Sequence, residues 1–138
     1  MGGINLSRVL LGGIVAGVVA NVLGYLFRLT FAEEMTASLA RLGLGEPAGA
    51  TIPILMALGL VYGIVTIWFY AAIRPRFGAG VKTAVIVAVA LWVVVSLLMS
   101  IQFSLLGIIE GSLVYIGPVF DLVSMILATI AGAWIYKE

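Results

Sequence analysis

Four polar residues interrupt segments that are otherwise almost entirely apolar: Asn21, Arg28, Gln102 and Asp121. A charged side chain inside a membrane is costly, so such residues usually pair with an opposite charge or line a path for an ion or solute. Arg28 and Asp121 carry opposite charges, and both are expected at one depth near the outer surface, where Gln102 also lies. Their spacing predicts an ion pair that joins two helices, with the mouth of an ion or solute path as the alternative.

The amide of Asn21 is expected deeper in the membrane. It lies about 20 Å along a helix from Arg8, at a rise of about 1.5 Å per residue. An amide beside small residues favours a hydrogen bond to a neighbouring helix, and ligand contact is the alternative. No further charged residue lies deep in the apolar segments, and a proton or ion relay needs several such steps. Active transport of a polar solute by this chain alone is therefore not expected.

The amino-acid composition excludes several kinds of functional site. Cysteine and histidine are both absent from the 138 residues, which excludes disulfides, thiolate nucleophiles, Cys/His metal sites and haem ligation by these residues. No pairing of a nucleophile with a general base is visible. The net charge of +1 provides no strong field for nucleic acid. We therefore expect no catalytic residue, no metal, no cofactor and no nucleic-acid partner.

Four long apolar segments must position the polar residues. The chain is 64% hydrophobic and 9% charged, whereas ordinary globular domains are about 45–50% apolar and about 25% charged. A membrane-spanning helix needs about 20 mainly apolar residues. The predicted spans are about 9–27, 52–73, 83–106 and 118–136. The sequence thus predicts an all-α membrane protein, a four-transmembrane-helix bundle that forms a single domain over 1–138.

Two prolines and one length argument set the limits of these spans. Proline cannot continue the helical hydrogen bonds, so Arg74-Pro75 is expected to end the second span. Pro118 is expected to begin the fourth, where a missing N–H is tolerated. The first apolar segment could instead be a cleaved signal peptide. Its apolar run is longer than the usual core of about 7–15 residues, which favours a retained span.

The basic residues near the span ends predict the orientation. Five of the seven Lys and Arg residues fall on one side: Arg8, Arg74, Arg76, Lys82 and Lys137. Arg28 and Arg41 fall on the other side, so both termini are expected in the cytoplasm. In the short basic turn between the second and third spans, Arg74, Arg76 and Lys82 are expected to contact anionic lipid.

The segment after the first span has the pattern of a short amphipathic helix. Met35, Leu39 and Leu42 share one helical face. The polar residues lie largely on the other faces: Glu33, Glu34, Ser38 and Arg41. This pattern predicts a short helix on the outer membrane surface, between the first and second spans.

The first span carries a stripe of small residues. Glycine or alanine recurs every fourth residue, with two further glycines alongside, and the set is Gly12, Gly13, Ala16, Gly17, Ala20 and Gly24. Small residues let helix backbones approach closely, which drives helix association in lipid. We therefore expect this helix at the centre of the bundle or at a contact between subunits.

Three stretches of the chain resemble a known group of proteins. They are SRVLLGG at 7–13, YAAIRPRFG at 70–78 and LATIAGAWIYKE at 127–138. Their order and spacing resemble small bacterial four-helix integral membrane proteins of unknown function, with the YAAIRPRFG turn as the most specific part. The resemblance implies four spans and a location in the bacterial inner membrane. It implies no activity, so no functional residue is carried over.

Three functional classes are possible. An intramembrane enzyme would have to work with Asp121, Glu110 and Arg28, and it is disfavoured because no nucleophile–base pair or metal set is visible. The other two classes fit these features. The first is a non-enzymatic accessory subunit or self-associating bundle, which would form a homo-oligomer or join a larger membrane complex within the lipid bilayer. The small-residue stripe, the bulky third span and the lack of reactive side chains favour it. The second is a small pore or carrier for a small or apolar molecule, which the polar level near the outer surface and Asn21 favour.

Overall fold

Residues 3–136 are described by a computed structural model, and this part of the chain is all-helical. The helices are α1 (Leu6–Thr30), α2 (Ala32–Arg41), α3 (Thr51–Phe77), α4 (Val81–Leu105) and α5 (Leu113–Ile135). All except α2 are long and apolar enough to cross a membrane, which confirms the predicted helical class and the count of four long apolar helices. Lys137, which contributed to the predicted orientation, lies outside the described residues.

Two span boundaries differ from the prediction because both prolines are tolerated inside helices. Pro75 lies in the last turn of α3, which continues to Phe77 and ends at Gly78 with φ +84°. A glycine in this left-handed region is a common helix terminator. Helix α5 begins at Leu113, five residues before Pro118, so Pro118 does not start the fourth span.

Helix α4 donates two hydrogen bonds to α5 around Pro118, and one of them replaces the bond that the proline removes. Because Pro118 has no N–H, the carbonyl of Val114 lacks its usual helical donor. The Ser100 hydroxyl of α4 donates to that carbonyl at 3.4 Å, and the Trp92 indole N–H donates to the Pro118 carbonyl at 2.8 Å. Neighbouring helices commonly satisfy backbone groups around a proline in this way.

The small-residue stripe of α1 lies at the centre of the bundle. A Cβ atom at Gly17 would lie only 2.6 Å from Leu60 Cα of α3, and one at Gly12 would lie 2.6 Å from the Gly132 carbonyl of α5. Gly13 faces the backbone of Ile64 in the same way. Glycine at these positions therefore permits backbone contact between α1 and both neighbours. This agrees with the first of the two predicted locations.

The stripe stops packing before it ends. Ala16 is buried and Ala20 is half-buried, whereas Gly24 is exposed and a Cβ there would meet no atom within 4 Å. Gly24 therefore makes no packing contact within the described chain, because the helices have separated at this level, and a contact between subunits at Gly24 stays a prediction.

The bundle is packed tightly at one end and loosely at the other. Helix α4 buries residues only in its first half, Val81–Trp92, and none in Val93–Leu105. Ile67, Ala84 and Ala88 are fully buried in this tighter part. We call the end where α1 begins and α5 finishes the closed end. The opposite end, where 31–50 and 106–112 connect the helices, is the open end.

Aromatic and polar contacts hold the closed end together. The Tyr136 hydroxyl accepts a hydrogen bond from the Asn5 backbone N–H at 3.4 Å, and the Tyr70 hydroxyl accepts one from Gly80 N–H at 3.0 Å. The Arg74 guanidinium lies 5.5 Å from the centre of the Tyr136 ring. Arg74 is thus partly engaged within the protein, while Arg76 and Lys82 are exposed.

Candidate functional site

A cavity of about 260 Å³ lies between α1, α3, α4 and α5, toward the open end. Its polar lining residues are Tyr62, Thr66, Ser96, Asp121, Ser124 and Thr129. Small residues of α1, including Ala20 and Gly24, form part of the remaining wall. The space exists because these residues project little volume where the helices separate.

Asp121 is the charged residue of this cavity, and it is itself an exposed residue. Its Oδ2 accepts a hydrogen bond from the Ser96 hydroxyl at 2.6 Å. Ser96 belongs to a π-helical segment of α4, Val93–Leu97, and such wide turns are frequent at functional sites. Among residues 3–136 Asp121 forms no ion pair, since the salt bridges in this range join other residues. A carboxylate has about four acceptor positions, so most of its hydrogen-bonding capacity remains unused.

The predicted pair between Arg28 and Asp121 is wrong. Arg28 Nη2 instead lies 2.6 Å from Glu46 Oε2, and the Thr36 hydroxyl donates to Glu46 Oε1 at 2.8 Å. Glu46 belongs to the connection between α2 and α3, which folds back over the end of α1. The fold thus brings Glu46 to Arg28, while Asp121 of α5 faces Ser96 of α4.

Two other polar side chains in the cavity have weak partners or none. The Ser124 hydroxyl is buried and has no hydrogen-bond partner within the described part of the chain. Ser124 follows Asp121 by three residues, so both lie on one face of α5. The Tyr62 hydroxyl contacts Met125 Sδ at 3.6 Å, and a thioether is only a weak acceptor. Thus α5 presents a carboxylate and an unsatisfied hydroxyl to the cavity, and α3 presents a weakly bonded phenol.

The two threonines of the cavity form its floor and are already satisfied. Thr66 and Thr129 donate to the Tyr62 and Met125 carbonyls of their own helices at 2.9 and 2.6 Å. Helices commonly absorb hydroxyls in this way. One turn beyond, toward the closed end, Gly12 and Gly132 are in backbone contact beside the buried Ile67. The described helices therefore close the cavity on this side, which makes it a pocket and not a channel.

A second cavity of about 390 Å³ lies at the open end, under α2. The apolar face of α2 lines it through Met35 and Leu39, and the Arg28–Glu46 pair lies at its wall. The predicted amphipathic helix thus exists at Ala32–Arg41, and its apolar face covers this groove.

Phe27 lies between the two cavities. It lines both of them, and its ring centre is 4.8 Å from that of Phe120, which lines the inner one. A route from the outer groove to the inner cavity would pass this pair of rings.

Arg41 ties the far end of α2 to the second connection of the open end. Its guanidinium forms an ion pair with Glu110 and donates to the Ile108 carbonyl at 3.0 Å. Helix α2 is therefore tied to the rest of the open end through Arg41 and through Thr36, whose hydroxyl donates to Glu46.

The remaining predicted polar residues lie apart from the inner cavity. Asn21 Nδ2 donates to the Met56 carbonyl of α3 at 3.0 Å, a helix-to-helix hydrogen bond of the expected kind. Gln102 is exposed on α4. The site residues that the sequence did not single out are Tyr62, Ser96 and Ser124. The sequence marked each of them only as a polar hydroxyl within a long apolar segment. Most such hydroxyls bond to the backbone of their own helix, so the signal was weak.

Comparison with known protein families, with curated proteins and with solved structures finds no match for this chain. The resemblance to small bacterial four-helix membrane proteins therefore stays a prediction.

Proposed function

We propose that this chain is a non-enzymatic, multi-pass membrane protein that binds a small, mainly apolar molecule in the cavity beside Asp121. The observation that carries the proposal is an intramembrane carboxylate with one hydroxyl partner, next to a buried hydroxyl with none. Unsatisfied polar groups in lipid are expensive and mark binding or transport sites. A pocket with mainly apolar walls and a few convergent polar groups has the character of a ligand site.

The packing of α3 and α4 supports entry from the side, out of the hydrocarbon. Helix α3 packs against the first half of α4 and hardly against the part from Val93 onward. A molecule dissolved in the bilayer would therefore reach the cavity between these two helices. The closed floor favours a binding protein or a carrier that changes shape over an open pore.

The proposed location is the bacterial inner membrane, with both ends of the sequence in the cytoplasm. The support is the distribution of Lys and Arg near the helix ends and the sequence resemblance. The cavity would then lie in the outer half of the bilayer, and Arg76 and Lys82 would meet anionic lipid on the inner surface.

A small neutral photoprobe tests the proposal. The protein is placed in phosphatidylcholine vesicles with a trifluoromethyl-phenyldiazirine, irradiated and mapped by peptide mass spectrometry. We expect labelling of Met125, which lines the cavity. Ala20→Leu should fill the cavity and abolish that label, whereas the matched variant Val22→Leu, on the exposed face of α1, should leave it unchanged. Equal labelling of Met125 in all three proteins, or none in the wild type, would contradict the proposal.

The second candidate function is an accessory subunit of a larger membrane complex. Its support is the broad apolar surface of α4, where Val94, Leu98 and Leu105 are exposed. Self-association through α1 has less support, because Gly12, Gly13 and Gly17 face α3 and α5 of the same chain. A native mass measurement in mild detergent tests this candidate: a stable complex with another membrane protein supports it, and a single chain argues against it.

A further inference from the structure

The described lining of the inner cavity contains an acidic residue and no basic residue. Asp121 is the charged residue in its lining, and the carboxylate accepts from a neutral hydroxyl, not from a cation. The Arg residues of the open end are engaged elsewhere, Arg28 with Glu46 and Arg41 with Glu110. Charged groups at membrane depth usually pair with an opposite charge, and a cation with an apolar body would also match the apolar walls.

The aromatic lining favours the same kind of ligand. Phe27, Tyr62 and Phe120 all border the cavity. The faces of aromatic rings attract cations, most strongly where water is excluded. These rings also provide apolar area for a hydrocarbon or aryl body.

The polar wall distinguishes an organic ammonium ion from a metal ion. Asp121 and Ser124 lie on one face of α5 and offer oxygen acceptors to a group with several N–H donors. Hard metal ions instead take six or more oxygen ligands, and no cluster of three acidic residues that could hold a metal occurs among residues 3–136. The volume of about 260 Å³ exceeds that of a cavity of about 150 Å³ that is known to bind benzene, so an aryl body fits.

We infer that the cavity binds a small aryl- or alkylammonium ion, with its ammonium group on Asp121 and Ser124 and its apolar body against Phe27 and Phe120. This inference rests on the proposed function, since it names the ligand class of the same site. The ammonium would replace water as the partner of the carboxylate and would satisfy the Ser124 hydroxyl.

Competition against the neutral photoprobe tests the inference. Phenethylammonium and 2-phenylethanol each have nine non-hydrogen atoms and differ in charge. We expect phenethylammonium to suppress Met125 labelling at a concentration about ten-fold or more below that of 2-phenylethanol, because charge-assisted hydrogen bonds are stronger than neutral ones. Asp121→Asn, which keeps the shape of the side chain, should remove this advantage.

Three controls separate the outcomes. Glu110→Gln removes a carboxylate outside the cavity and should keep the preference, and Asp121→Glu should keep it because the charge remains. Comparing concentration ratios between variants cancels the partitioning of each compound into the bilayer. Equal competition by both compounds in the wild type, or an unchanged preference in Asp121→Asn, would refute the ammonium ligand while cavity-dependent labelling still supported the proposed function. Loss of cavity-dependent labelling in the wild type would refute both.

Discussion

At the scale of single residues, the acidic side chains have different partners from those that charge matching alone indicates. Arg28 pairs with Glu46 in the connection before α3, and Asp121 accepts a hydrogen bond from Ser96. The first pair stabilises the surface of the open end. The second leaves an exposed carboxylate with spare acceptor positions in the lining of the inner cavity. Their partners therefore distinguish the structural charges of Arg28 and Glu46 from the candidate binding charge of Asp121. This difference can be measured.

A double-variant cycle checks the Arg28–Glu46 pair. The Arg28 and Glu46 side chains are 37% and 54% exposed, so solvent screens the pair and its coupling should be only about 0.2–1 kcal/mol. We expect this coupling between Arg28→Met and Glu46→Gln, measured by thermal unfolding in detergent. Arg28→Met combined with Asp121→Leu should instead give additive effects. Coupling in the second cycle and none in the first would restore the pair predicted from sequence.

Replacing Asp121 should not weaken the fold. Asp121→Leu removes a carboxylate that lacks a cationic partner and fills apolar space, so the free energy of unfolding should stay unchanged or rise. The same variant should lose the ligand preference, which is the usual trade between stability and function at a binding site. Chemical or thermal unfolding of the variant in detergent checks this. A marked loss of stability would assign Asp121 a structural role.

At the scale of helices, one stripe of small residues has two uses. Toward the closed end Gly12, Gly13 and Gly17 bring backbones into contact. Toward the open end Ala20 and Gly24 border the cavity. The π-helical segment of α4 begins where α4 stops burying residues. It places the Ser96 hydroxyl within hydrogen-bond distance of Asp121. The same helices thus form a tight core and a pocket along their length.

Two alanine substitutions in α1 separate these uses. Gly17→Ala would place a Cβ 2.6 Å from Leu60 Cα, and such overpacking should lower the free energy of unfolding by about 1–3 kcal/mol. Gly24→Ala meets no atom within 4 Å and should be neutral or slightly stabilising, because alanine favours helix. Circular dichroism during thermal unfolding in mild detergent compares the two. Equal effects would mean that α1 packs differently from this arrangement.

At the scale of the whole molecule, the closed and open ends carry different groups, so the two ends of the bundle can be assigned to different sides of a membrane. The open end carries α2, which is held by Thr36–Glu46 and Arg41–Glu110, and the Arg28–Glu46 pair lies at the same end. The closed end carries Arg74, Arg76 and Lys82, where basic residues predict the cytoplasmic face. A ligand would therefore reach the cavity from the outer half of the bilayer.

Reporter fusions check this direction. A reporter that is active only in the periplasm should be inactive when fused after Glu138 and active when inserted between Gly107 and Gly111. The physical reason is that positively charged loops are retained on the cytoplasmic side. The reverse pattern would place the cavity in the inner half of the bilayer and the basic turn outside.

The long helices were predictable from the sequence because they depend on local properties. A run of about 20 apolar residues satisfies its backbone hydrogen bonds within itself and its side chains with lipid, without reference to the rest of the chain. The amphipathic pattern of α2 is equally local. The prolines were less predictable, since the carbonyl that Pro118 leaves without a helical donor accepts from Ser100 of another helix.

The partners of the charged residues and the existence of the pocket were decided only by the tertiary structure. Depth along a helix places Arg28 and Asp121 at a similar level, but it does not show which faces meet or where a connection passes. The path of 42–50 brings Glu46 to Arg28, and the separation of α3 from α4 creates the cavity beside Asp121. Both depend on how helices rotate and splay against each other, which is set by contacts between residues distant in the chain.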